Sequence, residues 1–207
     1  MRGTRLLFIG IGLFWLIIIV LAIWLGPQRN GGTFLRPAAQ LTLDGAIETS
    51  FTLTDHNGRE ITETAFTSRP TAWFFGFTQC PDICPTTLAQ LTVLLEKLAG
   101  DADRLNVVFV SVDPERDPPE VLKQYLSAFD PRIVGLTGTR AAIDAMTKSF
   151  FVYQAKVASP DGGYTMDHTS SILLTDGRLR FQGTLDPHED TDVQVQKLRR
   201  LIAQQPA

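Results

Sequence analysis

The only two cysteines of this 207-residue chain lie four positions apart in Phe77-Thr78-Gln79-Cys80-Pro81-Asp82-Ile83-Cys84-Pro85, each followed by a proline. Proline disfavours the α region for the residue before it, so both cysteines are predicted to be extended or turn-like. Pro85, with its fixed φ and no N–H to lose, suits the first position of a helix. Cys84 then falls near an N-cap, and Cys80 on the loop leading to it. The positive end of a helix favours thiolate over thiol, so both sulfurs are expected to be nucleophiles or metal donors. The plainer alternatives are an ordinary disulfide or two inert buried thiols, for which prolines and a helix start are poor surroundings.

Thr71–Phe77, upstream, is an apolar, aromatic run of strand length. Downstream, Leu88, Leu91, Val93, Leu94, Leu95 and Leu98 recur near the helical period. A buried strand entering a cysteine loop and then a helix is the thioredoxin-type placement of a reactive pair, here with three intervening residues where the redox enzymes have two.

Leu6 to Leu25 is a stretch of twenty residues without a charge, enough to cross the hydrocarbon layer as a helix and too long for the apolar part of a signal peptide. With no small-x-small cleavage site after it and no cysteine for lipid attachment, residues 6–26 are expected to be an uncleaved transmembrane anchor. Residues 1–5 would be a cytoplasmic tail and 27–40 a tether containing Gly31-Gly32. Arg2, Arg5 and the terminal amine before the span, against Arg29 and Arg36 after it, lean towards an exported C-terminal domain. A five-residue tail is too short for a mitochondrial transit peptide, so the expected location is the bacterial inner membrane, single-pass, with residues 41–207 in the periplasm. Four of the 19 basic residues lie in the first forty positions with no acid among them, so the other fifteen stand against all 22 acids. A domain so acidic is a poor candidate for nucleic acid or for lying on an anionic membrane surface.

The rest reads as strands alternating with helices. Leu41 to Ile47 suggests a small hairpin across Asp44-Gly45, followed by a strand from Phe51 to Asp55. Leu105 to Val112 is a continuous apolar strand, as in a sheet covered on both faces. Asp117-Pro118-Pro119-Glu120 has the form of a helix start, with Asp117 as cap, for a helix running to about Phe129. A strand at Ile133–Leu136, a helix capped by Thr139 and running through Ser149, and an alternating strand from Phe151 to Val157 follow. The chain turns at Ser159 to Gly163 and returns at Tyr164–Met166; a hairpin about Asp176-Gly177 and a terminal helix from Asp190 to Ala203 close it. The expected fold class is α/β, a thioredoxin-like mixed sheet flanked by helices, preceded by the transmembrane helix.

Of the three histidines, His168 opens the loop into the strand of the last hairpin. In a thioredoxin-like sheet that loop abuts the cysteine loop, where redox enzymes place a cis-proline; no proline is present here. Two thiolates and an imidazole make a soft three-donor set suited to Cu(I), with room for an oxygen ligand on Cu(II). Zinc would accept the same donors but would want a fourth. His56 and His188 lie in polar, turn-rich stretches and are expected to be solvated. Met146 and Met166 are expected to pack, and Asp82 and Asp113 to serve caps or turns.

The block Cys80-Pro81-Asp82-Ile83-Cys84-Pro85 resembles the Sco/SenC family of membrane-tethered copper proteins. So do Phe51-x-Leu53-x-Asp55-x-x-Gly58, Ser111-Val112-Asp113-Pro114-Glu115-Arg116-Asp117 and Asp167-His168-Thr169. The resemblance covers nearly all of the exported domain. It implies a thioredoxin-like fold, copper held by Cys80, Cys84 and His168, and a role in assembling the dinuclear copper centre of cytochrome c oxidase. The implied partners are the copper-site subunit of that oxidase and other periplasmic copper carriers. Gln79 stands where the family more often has His, which bears on tuning rather than ligation.

Two functions of different class follow. A metallochaperone would pass copper on by ligand exchange without catalytic turnover. A thiol–disulfide oxidoreductase would instead keep the partner's copper-binding cysteines reduced, by thiolate attack through a mixed disulfide. The three-residue spacer and His168 favour the first, since exchange needs no histidine. A peroxidase-like role lacks a clear arginine to polarise peroxide.

Overall fold

A computed structural model describes Ile47, residues 50–159 and residues 162–204. The anchor expected over 6–26, the tether and most of the hairpin expected over 41–47 lie outside the described residues. Among the described residues no helix is long and apolar enough to cross a membrane.

Seven strands form one mixed sheet in the order β2-β1-β5-β4-β3-β8-β9. They are β1 (Thr52–Asp55), β2 (Glu60–Thr62), β3 (Thr71–Gly76), β4 (Asn106–Ser111), β5 (Ile133–Thr137), β8 (Ile172–Thr175) and β9 (Phe181–Leu185). β3, β4 and β5 are parallel neighbours, while β1 on one side and β8 on the other run antiparallel to them. Every residue of β3 is buried, as is all of β4 after Asn106. Such continuous apolar runs belong to strands covered on both faces. α1 (Ile83–Leu98) leads from β3 to β4 and α2 (Pro119–Leu126) from β4 to β5; α3 (Arg140–Ser149) follows β5, and α4 (Thr191–Ala203) follows β9. α1 packs against α4, α2 against β5, and α3 meets β1.

Thr139 caps α3 by accepting from the Ala142 N–H at 3.2 Å, and Asp190 caps α4 through the Asp192 N–H at 2.8 Å. Around Trp73, the rings of Phe51, Phe66 and Phe150 lie edge-on at centroid distances of 6.2, 4.8 and 5.0 Å. The indole N–H of the fully buried Trp73 donates to Thr175 Oγ1 at 2.9 Å, joining β3 to β8 by their side chains.

Several local expectations are corrected. α1 begins at Ile83, with Asp82 as the N-cap residue, so Cys84 is already helical and Pro85 is its third residue. Pro85 still costs no intrahelical bond, because the first four N–H groups of a helix have no partner within it. Asp117 does not cap α2, which starts at Pro119 and ends at Leu126. Its buried carboxylate instead accepts from the Thr78 N–H at 3.0 Å, the Thr78 hydroxyl at 2.5 Å and the Ser111 hydroxyl at 2.6 Å. It thereby ties the cysteine loop to the end of β4. His56 is not simply solvated; its Nδ1 accepts from the Gly135 N–H at 2.9 Å. His188 is exposed, and Met146 and Met166 are buried in the core.

The largest difference lies at residues 151–168. Phe151 has φ 55°, in the left-handed region, and the strand begins only at Gln154. β6 (Gln154–Ala158) pairs antiparallel with β7 (Tyr164–His168) as a separate two-stranded ribbon. The alternation in this stretch was real but belongs to a hairpin outside the main sheet.

Replacing Thr175 by Val orphans the buried Trp73 N–H and is expected to lower unfolding stability by about 1–3 kcal/mol in urea titrations. Burial raises the Asp117 carboxyl above the usual range, despite the Ser111 and Thr78 bonds that favour its charged form. The folded domain therefore holds that proton more tightly than the unfolded chain. The stability so contributed is complete below the ordinary carboxyl pKa of about 4 and is lost as pH rises through the raised value. Asp117→Asn should remove that falling arm from a stability–pH curve.

Candidate metal centre

Three donor atoms from two distant parts of the sequence meet beyond the C-terminal end of β3. One donor each from Cys80, Cys84 and His168 lies within 4.8 Å of the others. Cys80 is half-buried on the loop and Cys84 fully buried in the first turn of α1; both are free thiols. The Cys84 N–H points at Cys80 Sγ, at 3.4 Å, so one of the orphan donors of the helix start faces a sulfur.

His168 closes the triangle. Its Nε2 lies 3.6 Å from Cys84 Sγ, and its Nδ1 is 2.9 Å from the Thr169 carbonyl oxygen. A carbonyl can only accept, so Nδ1 carries the proton and Nε2 turns its lone pair to the sulfurs, the tautomer a metal-binding imidazole requires. The ring is held edge-to-face by Phe77 at 5.8 Å and lies 6.5 Å from Phe74.

Gly76, the last residue of β3, makes room for the buried sulfur. A Cβ there would come within 2.8 Å of both Cys84 Sγ and Phe109 Cε2. Burial pushes the Cys84 thiol well above its ordinary range, contrary to the lowering expected from the helix start. Loss of water outweighs the helix terminus at this depth, so a cation at the site would have to displace that proton. One side of the triangle stays open. Phe77, Cys80, Pro81, Ile83, Met166 and His168 help line a cleft of about 270 Å³.

Sequence reasoning named the three donors but missed their supports. Asp113 is more than a turn residue. It is buried, accepts from the Tyr164 hydroxyl at 2.9 Å, and forms ion pairs with Arg116 and with Arg140, the latter at 3.6 Å. Arg116 in turn donates to Gln79 Oε1 at 3.1 Å and to the Tyr164 carbonyl at 2.9 Å. The density of charge in Asp113-Pro114-Glu115-Arg116-Asp117 was the available signal, but nothing in it says which side chains turn inward.

A soft S,S,N donor set with no carboxylate in the triangle, half-buried and open on one side, suits a thiophilic cation with low coordination number. Comparison with known proteins agrees with that chemistry. An SCO2-like protein of Rickettsia prowazekii is 32% identical over 198 residues, covering 95% of this chain and 91% of the relative. The mitochondrial SCO2 protein of Saccharomyces cerevisiae is 37% identical over 161 residues; the match covers 76% of this chain but only 53% of that longer protein. The structure of Bradyrhizobium japonicum ScoI with copper bound superposes with a TM-score of 0.70 at 43% identity, over 74% of this chain and 98% of that one. The SCO1/SenC family model matches residues 39–203, and the chain belongs to that family.

Proposed function

We propose that this protein is a membrane-anchored copper metallochaperone that assists assembly of the dinuclear copper centre of cytochrome c oxidase, with Cys80, Cys84 and His168 as the copper ligands. The observation that carries the reading is the meeting of two sulfurs and one correctly tautomeric imidazole nitrogen, 84 residues apart along the chain, at the rim of an open cleft. The copper-bound state of the Bradyrhizobium relative supports copper as the cargo.

Transfer follows from the coordination number. Copper(I) is stable with two or three soft donors, so a thiolate of the acceptor can add at the open side before a ligand of this chain leaves. Each exchange forms one Cu–S bond as one Cu–ligand bond breaks, with no change of oxidation state. Cys84, buried beside Gly76, would be the anchoring ligand. Cys80 and His168, both half-buried, stand nearer the cleft. The acceptor is the copper-site subunit of the oxidase, and other periplasmic copper carriers are the proposed donors. The uncharged run of residues 6–26 supports a single-pass anchor in a bacterial inner membrane, with the domain in the periplasm.

The second reading, a thiol–disulfide oxidoreductase acting on the partner's copper-ligand cysteines, is favoured by two free, adjacent thiols, one of them half-buried. The depth of Cys84 and the presence of His168 favour copper.

Anaerobic titration of the full chain with Cu(I) should saturate near one equivalent. His168→Ala should weaken binding by more than the roughly 10–100-fold typical of losing an outer-shell partner. Cu(II) loading should give intense thiolate-to-metal charge-transfer absorption that Cys84→Ala abolishes. Unchanged affinity in His168→Ala, with disulfide reductase activity retained, would instead establish the oxidoreductase. For the anchor, a reporter enzyme active only outside the cytoplasm and fused after Ala207 should be active and fractionate with membranes; a soluble fusion protein would refute it.

A further inference from the structure

His168 does not ride on the main sheet. It ends β7, whose strand partner is β6, and among the described residues no backbone–backbone hydrogen bond joins residues 153–169 to the seven-stranded sheet. The ribbon is tethered by its chain ends and held by side chains. Among the described residues, Arg116 is the one of these whose hydrogen bonds reach both the ribbon and the cysteine loop. Its Nε pairs with the buried Asp113 carboxylate, and its Nη1 donates both to Gln79 Oε1 and to the Tyr164 carbonyl, at 3.1 and 2.9 Å. Its guanidinium carbon lies 3.9 Å from the centroid of the Tyr164 ring and 5.8 Å from that of Phe77.

The two sides of this clasp are the two sides of the copper site. Gln79 immediately precedes Cys80, and Phe77 packs on the His168 ring. Tyr164 opens the strand that His168 ends, and its hydroxyl donates to the same Asp113 that holds Arg116. We infer that Arg116 is a positioning residue, clasping the His168 ribbon to the cysteine loop so that the imidazole stands at the sulfurs. A planar fork that is charged, stacked and bonded along two edges does this; an ammonium offers neither the plane nor the paired donors. The outer pairs, Lys156 with Glu115 at 2.5 Å and Arg140 with Gln154 at 3.3 Å, add to the hold on β6 but do not reach the cysteine loop. Weakening the clasp would leave the two sulfurs in place and free the imidazole.

The inference rests on the copper reading, and its test has one arm that needs no metal. In the metal-free full chain, Arg116→Gln should speed amide hydrogen exchange over residues 154–168 by about tenfold or more, as expected for losing hydrogen bonds from a charged donor. The amides of β3, β4 and α1 should keep their protection. With one equivalent of Cu(II), the variant should keep its thiolate charge-transfer band and lose the imidazole nitrogen coupling from its electron paramagnetic resonance spectrum. Arg116→Lys should not rescue that coupling. Gln79→Ala, at an exposed position, should shift both readouts in the same direction by less, and it serves if Arg116→Gln does not fold. Unchanged ribbon exchange and unchanged nitrogen coupling in the variants would overturn the inference, as would a uniform loss of protection across the whole domain. Absence of copper binding in the unaltered chain would instead bring down the copper reading, and a normal exchange pattern in Arg116→Gln would then dispose of the clasp separately.

Discussion

The close approach of Cys84 Sγ to the backbone of Gly76 governs the rest of the site. A sulfur can lie there only because β3 ends in a residue without a side chain, since the Phe109 ring of the neighbouring strand crowds the same space. Once the sulfur is seated, α1 must start where it does and Cys80 must arch over its first turn. Depth also shapes the chemistry of the sulfur: burial raises the Cys84 thiol above its ordinary range, so a bound cation would have to displace its proton.

Two kinds of support hold the three donors. The cysteine side belongs to the parallel centre of the sheet, where β3 and all of β4 after Asn106 are buried and Asp117 bolts Thr78 to Ser111. Hydrogen bonds to a buried carboxylate of this kind are directional and costly to leave unmade, so they fix the loop against the end of β4. The histidine side is a two-stranded ribbon. Isolated ribbons are marginal in water, and this one is held by the core packing of Met166 and by side-chain bonds to Asp113 and Glu115 through Arg116, Arg140, Tyr164 and Lys156. On the proposed copper reading, the cation would be gripped by one rigid wall and one movable wall, which suits a carrier that has both to hold a soft cation and to give it up.

Much of this was legible in the chain. The apolar run at Thr71–Phe77, the periodic leucines after Cys84 and the cap at Thr139 each have a local cause, and local causes survive folding. The mixed sheet followed from alternating strand and helix patterns, and the three donors from their residue types and from resemblance. The misreadings share one origin. Asp117 had the local form of a helix cap, yet Thr78 and Ser111, brought near by β3–β4 pairing, offered it three better donors. Phe151 to Val157 had the alternation of a strand, yet nothing local says which sheet an alternating strand will join.

Sequence alone determined the strand–loop–helix that carries the cysteines, the α/β class and the chemical character of the donor set, because these depend on residue type and short-range spacing. Tertiary structure decided the rest: which nitrogen of His168 faces the sulfurs, how deeply Cys84 is buried, and that a clasp centred on Asp113 and Arg116 spans the two halves of the site. Those features depend on contacts that include residues tens of positions apart, such as His168 with Cys84 and Arg116 with Gln79 and Tyr164. Their energies depend on distance and on exclusion of water, and neither quantity exists until the sheet has formed.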